Sequence, residues 1–200
     1  KSLRNIIMKL EIKDLLSLEE YDTHRESIKK ELIAHKKNRT VNIGENVVLI
    51  FEDFMTIKYQ VQEMLRIEKI FNKKEIQEEI DAYNPLIPDG TNFKATMLIM
   101  YPDVEVRRQM LLKLHDIENN IWMSCGSEKI TALADEDLDR STDDKTSAVH
   151  FLRFQLTQDN IADFLSSSSI SIGVNHPEYK EEVVLEEAVR KSLINDLKKN

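Results

Sequence analysis

Apolar residues recur along this chain with two periods. Phe54, Ile57, Val61, Met64 and Leu65 fall on one stripe at 3.6 residues per turn, which predicts a long amphipathic helix over 54–71. Residues 14–37, rich in Leu, Glu and Lys, predict another helix, and 75–83 a third. A fourth is expected over 103–118, starting just after Pro102. A short helix over 159–165 and a closing helix over 181–198 complete the set. The other period is two. Runs 41–43 and 47–51 flank Gly44-Glu45-Asn46, a hairpin signature. Residues 94–101, 148–156 and 169–174 are expected as strands, and 121–124 with 129–134 as a hairpin around Cys125-Gly126-Ser127. Asn84-Pro85-Leu86-Ile87-Pro88-Asp89-Gly90 is turn chemistry.

Hairpins with interposed helices, and no strict βαβ alternation, predict an α+β fold. Its core would be a mainly antiparallel sheet of about six to seven strands covered by helices. Residues 10–179 are expected to form a single domain, with a basic extension over 1–9 before it and a charged helix over 180–200 after it.

Charge narrows the partners. The 200 residues carry 28 Lys and Arg against 36 Asp and Glu, a formal net charge of -8. Such a chain repels nucleic acid and anionic membrane unless a local basic patch overrides the whole. No apolar run approaches the ~20 residues that span a bilayer. Cys125 is the only cysteine, so no disulfide framework, CxxC pair or self-contained iron–sulfur site is expected. This fits a reducing compartment, and the expected location is cytoplasmic. The opening Lys1-Ser2-Leu3-Arg4-Asn5-Ile6-Ile7 before Met8 lacks the apolar core of a signal peptide. It fits an alternative start. As the basic, acid-free stump of a presequence it would point to the mitochondrial matrix instead.

Candidate chemistry concentrates on the 54–71 helix. Glu68 falls inside its apolar stripe, and a carboxylate facing a core costs several kcal/mol unless it is paired or protonated. Tyr59, Gln62, Glu63 and Arg66 form a polar row beside it. One reading is a site in which Arg66 binds an anionic group and Glu63 or Glu68 acts as base or ligand. The other is a surface pair with Glu68 at the helix end. His35, Lys36, Lys37 and Arg39 make a basic cluster. It suits either the dipole at a helix C-terminus or an anion patch. Asp135, Asp137 and Asp139 open like a calcium loop, but Arg140 stands where glycine is needed and Thr146 where a bidentate Glu belongs. His115 and Glu118 are a half-site at best. Strand alternation puts His150 with Leu152 and Phe154, and Arg153 with Phe151. His176 precedes Pro177 at a strand end, and it would meet His150 if their strands paired. No phosphate loop, nucleophile elbow or HExxH is present, and Cys125 has no adjacent base.

The same residues carry a resemblance. The segments are Asp14-Leu15-Leu16-Ser17-Leu18-Glu19-Glu20-Tyr21, Ala34-His35-Lys36-Lys37-Asn38-Arg39, Phe51-Glu52-Asp53 and Tyr59-Gln60-Val61-Gln62-Glu63-Met64-Leu65-Arg66-Ile67-Glu68. They continue with the Tyr83 to Gly90 turn, Ala134-Asp135-Glu136-Asp137, and Lys145-Thr146-Ser147-Ala148-Val149-His150-Phe151-Leu152-Arg153-Phe154. Over about residues 10–179 the chain resembles a bacterial family known only as a domain of unknown function. Genes of that family often lie beside those for rubrerythrin and a heterodisulfide-reductase-like iron–sulfur protein. The resemblance therefore implies a role in peroxide defence or iron–sulfur redox chemistry, with no catalytic residue or cofactor to carry over. Asn175 stands where the resemblance leads one to expect Asp, and Gln155 where it leads one to expect Glu.

Three functions follow as expectations. The first is an accessory or interaction protein in a cytoplasmic oxidative-stress or iron–sulfur redox system, with a rubrerythrin-like or iron–sulfur partner. The second is a small-molecule or anion-binding enzyme using Glu63, Arg66, Glu68, His150 and Arg153. The third is metal binding through His150, His176 and a carboxylate. The sequence names no cofactor.

Overall fold

The computed structural model describes residues 9–136 and 145–197. α1 (Leu18–Lys37) starts at a capping box in which Ser17 and Glu20 satisfy each other's backbone N–H groups. Its first turn holds Glu19 and Glu20 and its last His35, Lys36 and Lys37, so both ends match the helix dipole. β1 (Thr40–Ile43) turns through Gly44, whose φ of +69° suits glycine, into β2 (Val47–Glu52). Asp53 caps α2 (Phe54–Glu68), which stops at Lys69 in the left-handed region. α3 (Lys73–Tyr83), β3 (Asn92–Ile99) and α4 (Val104–Lys113) follow. Next come β4 (Ile121–Ser124), β5 (Ile130–Thr131), β6 (Leu133–Ala134) and β7 (Val149–Gln155). The chain closes with α5 (Gln158–Ser166), β8 (Ser171–His176), β9 (Tyr179–Val184) and α6 (Glu187–Ile194).

The expected α+β class and antiparallel pairing are present. The strands, nine among the described residues, divide into two sheets where one was expected. One runs β1-β2-β3-β7-β6 and the other β5-β4-β8-β9. The division occurs inside a single extended run. Ile130 and Thr131 pair with β4, then Leu133 and Ala134 pair with β7, so the chain changes sheet at Ala132. The inner faces supply one core. Val47, Leu49 and Phe51 alternate into it from β2, and Phe93, Ala95, Met97 and Ile99 from β3. Ile121, Met123, Ile172 and Val174 meet them from the other sheet. Phe93 packs edge-on against Phe51 and Phe164, with centroids 6.2 and 5.5 Å apart. Burying each such ring stabilises by about 1.5–3 kcal/mol. Leu10, Ile57, Val61, Leu65, Ile80 and Ile87 form a second cluster between α2 and α3.

The C-terminal segment differs from its expected form. Residues 179–184 are the edge strand β9, paired with β8, and the helix begins at Glu187. Leu185, Val189, Leu193 and Leu197 belong to the main core, so this segment is part of the domain and not an appended helix.

Candidate functional site

The polar row on α2 faces α1. Glu63 accepts hydrogen bonds from the Tyr21 hydroxyl at 2.7 Å and from Arg25 Nε and Nη2 at 2.7 and 3.0 Å. Arg66 Nε lies 3.7 Å away. Arg25 holds the Glu63 carboxyl below its ordinary range, against the opposing effect of burial. Burial and Glu63 together push the Tyr21 hydroxyl up. Beside them Gln62 clamps the backbone of Leu16 from both directions, at 2.7 and 3.3 Å. This is a helix–helix joint whose charged groups serve each other. Glu68 does not line a pocket: it is exposed, because α2 and the core beneath it end at Leu65 and the chain turns off at Lys69. Of the two readings of Glu68, the one that puts it at the helix end is what the structure shows.

The structure separates Arg39 and His35 from the exposed part of the basic cluster. Arg39 is only 1% exposed and uses every nitrogen. Nε donates to Phe51 O at 2.8 Å, and Nη1 to Ser192 Oγ at 3.3 Å and Asp196 Oδ1 at 3.1 Å. Nη2 donates to Glu52 O at 3.1 Å and Asp196 Oδ2 at 2.6 Å. His35 Nε2 lies 2.6 Å from Asp53, the α2 cap. Burial pushes the Asp196 carboxyl up to about 6, outweighing the pull of Arg39. Lys36 is half-buried and Lys37 exposed at the end of α1.

His150 is fully buried at the head of β7. Its Nδ1 meets Asp135 Oδ2. Its Nε2 lies 2.7 Å from Thr146 Oγ1 and 2.9 Å from Ser147 O. Thr146 in turn donates to Glu118 at 3.0 Å. Asp135 also accepts from Phe151 N at 2.9 Å, and it sits in the left-handed region at φ 45°. An Asp–His–Thr chain of this order would suit proton transfer. Here the hydroxyl and ring are enclosed, so the chain acts as a tie between β7 and the turn before it. Arg153 does not join it: its guanidinium engages Glu136 and Gln155. Gln155 also bridges to Thr91, so the amide found in place of an acid has a role. His176 Nε2 donates to His115 O at 2.8 Å and Nδ1 accepts from Glu178 N at 3.1 Å. β7 and β8 lie in different sheets, so His150 and His176 do not meet across paired strands. Among the described residues no three His, Cys, Asp or Glu side chains are placed to hold a metal. His115 is exposed while Glu118 is buried beside His150, which splits the expected pair. Asp137, Asp139 and Arg140 of the calcium-like run lie outside the described residues.

Several recesses and one surface remain, among them a recess of about 170 Å³ between α1 and α2 against Tyr21, Tyr59 and Gln62. A cavity of about 400 Å³ lies against Cys125, Asn160 and Asp163. Burial, then Asp163, pushes the Cys125 thiol up, away from nucleophilic character. Another recess of about 320 Å³ surrounds Trp122. The surface is the segment leading from β3 through α4. Met100, Val104 and Val106 are 52%, 69% and 48% exposed, and Leu112 is also exposed. All ten residues of α4 keep some solvent contact. A helix this short is marginal in water on its own. This one is held by the Asp103 cap, by Arg107 donating to Tyr101 O, and by Met110 and Leu111 against the core. Asp196, Asp53 and Trp122 have structural roles that the sequence analysis does not anticipate, and Thr146 serves His150 and not a calcium loop. Asp53 had a legible signal, an acid just before an apolar helical run.

The family described as "Protein of unknown function (DUF3501)" matches residues 9–197. A crystal structure at 1.90 Å of a novel protein of unknown function from Burkholderia pseudomallei is 46% identical, with a TM-score of 0.90. The likeness covers 96% of this chain and 100% of that one. No curated protein matches the chain. No helix among the described residues is long and apolar enough to cross a membrane.

Proposed function

The chain belongs to this family of proteins of unknown function, and from that premise we propose that it is an accessory protein that docks onto a partner protein through the β3–α4 segment. The observation that carries this reading is the apolar side chains on that segment. Apolar side chains left in solvent are the groups that a docked partner would bury. Glu105, Arg108 and Lys113 are interleaved with them around the helix. Of the polar groups that a catalytic reading would need, Glu63, His150 and Arg153 are engaged by other side chains of the fold and Glu68 stands apart on the surface, which favours docking over turnover. The partner we propose is a rubrerythrin-like or iron–sulfur protein of an oxidative-stress system in the cytoplasm. What supports that choice is the gene neighbourhood implied by the family resemblance. Capture of the tagged protein from its native cells, after mild cross-linking, tests it. Recovery of a di-iron or iron–sulfur protein is expected, and recovery of none removes the redox assignment.

A second reading rests on the cavity beside Cys125. Its carboxamide and carboxylate lining suits a small polar ligand. A ligand-induced shift in melting temperature that disappears in Asp163→Asn would favour it.

A further inference from the structure

Trp122, the only tryptophan, lies on the outer face of the β5-β4-β8-β9 sheet, yet it is only 6% exposed. The reason is its seat. Trp122 is the register partner of Gly173 on β8, and the indole lies over that glycine. A Cβ on Gly173 would stand 2.5 Å from Cζ2 and 2.8 Å from Cε2 of the ring. Gly173 is therefore required by the ring lying flat. Over the indole stands the Lys129 ammonium, 3.7 Å from the ring centroid. Lys129 comes from the exposed turn between β4 and β5.

The rest of the recess is Val174, Asn175, Lys180, Glu181 and Glu182. Glu182 is the register partner of Gly173 on its other side, so it shares the outer face with Trp122. Among the described residues, no ion pair joins Glu181 or Glu182 to Lys129 or Lys180. The recess thus combines an aromatic face that already attracts a cation with one carboxylate, Glu182, that no lysine neutralises at contact distance.

We propose that this recess is a binding site for the ammonium head group of a small molecule, and that Lys129 occupies it as an intramolecular place-holder. Aromatic faces bind ammonium ions through the ring quadrupole, and a flanking carboxylate adds charge complementarity. With Lys129 turned away, the Trp122 face of the lining holds one carboxylate, Glu182, and one ammonium, Lys180, because Glu181 points to the other face of β9 against Gly44; the chain's net charge of -8 draws cations generally. A volume of about 320 Å³ accommodates a head group of choline size.

Because Trp122 is the sole tryptophan, its fluorescence reads the seat directly. Choline is titrated against the wild type, Lys129→Ala, Lys129→Gln and Lys129→Ala/Glu182→Gln, at constant ionic strength with sodium chloride as the control. Saturable quenching is expected, at least tenfold tighter in both Lys129 variants than in the wild type. Adding Glu182→Gln should remove most of that gain. If choline quenches the Lys129 variants no more than sodium chloride does, or all four proteins alike, the site is overturned. The Lys129–Trp122 contact is then an ordinary surface cation–π pair.

Discussion

Replacing Arg39 with methionine should be among the most damaging single changes in this protein. Met keeps much of the apolar stem but removes all the donors from a site 1% exposed. Asp196, held at 2.6 and 3.1 Å by the two Nη atoms, would be left buried without its main counter-charge. Breaking a buried ion pair from one side costs about 3–5 kcal/mol. Total stability for a domain is about 5–15 kcal/mol, so roughly a fifth or more of it is at stake. At roughly 2–4 °C per kcal/mol for a domain of this size, the melting temperature should fall by ~6–20 °C. The defect should shrink on acidification, because a protonated Asp196 no longer needs the cation. Arg39→Met/Asp196→Leu should recover most of the loss, since an apolar pair of similar volume tolerates the same site. Urea denaturation followed by Trp122 fluorescence and by circular dichroism gives the free energies. The reasoning fails if Arg39→Met costs under about 1 kcal/mol, or if the double variant is as unstable as the single one.

Further outcomes follow from the same contacts. The Asp196 carboxyl rises from 3.8 to about 6 in the fold, so it contributes stability below about pH 4 that is lost as the pH climbs through about 6. Wild type should therefore gain on Asp196→Asn by up to ~3 kcal/mol between pH 7 and pH 4, and a flat difference would contradict the burial argument. Gly173→Ala should cost about 1–3 kcal/mol and shift the tryptophan emission, because the new methyl group meets the indole and the Glu181 carbonyl; an unshifted emission at wild-type stability would rule out the flat seat. Cys125 should react slowly with iodoacetamide at pH 7 and faster only well above the ordinary thiol range, and a fast reaction at neutrality would show a lowered pKa where a raised one is expected. Glu63→Gln should weaken the α1–α2 joint most at neutral pH and least in acid, because its carboxyl is held low and its contribution is lost as the pH falls.

Local signals in the chain were legible and distant ones were not. The α2 stripe, the β1–β2 hairpin around Gly44 and the His150 strand all stand where period and turn chemistry put them. Lys180, Glu181 and Glu182 break the strand alternation, so the sequence predicts helix where β9 stands. An edge strand with one solvated face tolerates such charges. The helical angle of Glu68 lies within the apolar stripe, but the helix outruns the core by one turn, so Glu68 stands at the helix end, the second of the two readings the sequence left open. The partners of Arg39 were out of reach for a different reason. Asp196 lies 157 residues away, and nothing local distinguishes a cation that will be buried by a C-terminal segment from one that ends a helix in solvent. The same holds for Glu118 and His150, and for Trp122, whose burial depends on a glycine on another strand.

The docking claim is tested most directly by changing the β3–α4 surface alone. Val104→Asp/Val106→Asp alters two exposed side chains, so the melting temperature should move by less than a few degrees. Wild type and variant are then cross-linked in native cells, captured and compared by quantitative mass spectrometry. The account predicts a partner cross-linked within residues 100–113 of the wild type and depleted at least tenfold with the variant. Equal recovery of every partner by both proteins, with cross-links elsewhere on the surface, would contradict it.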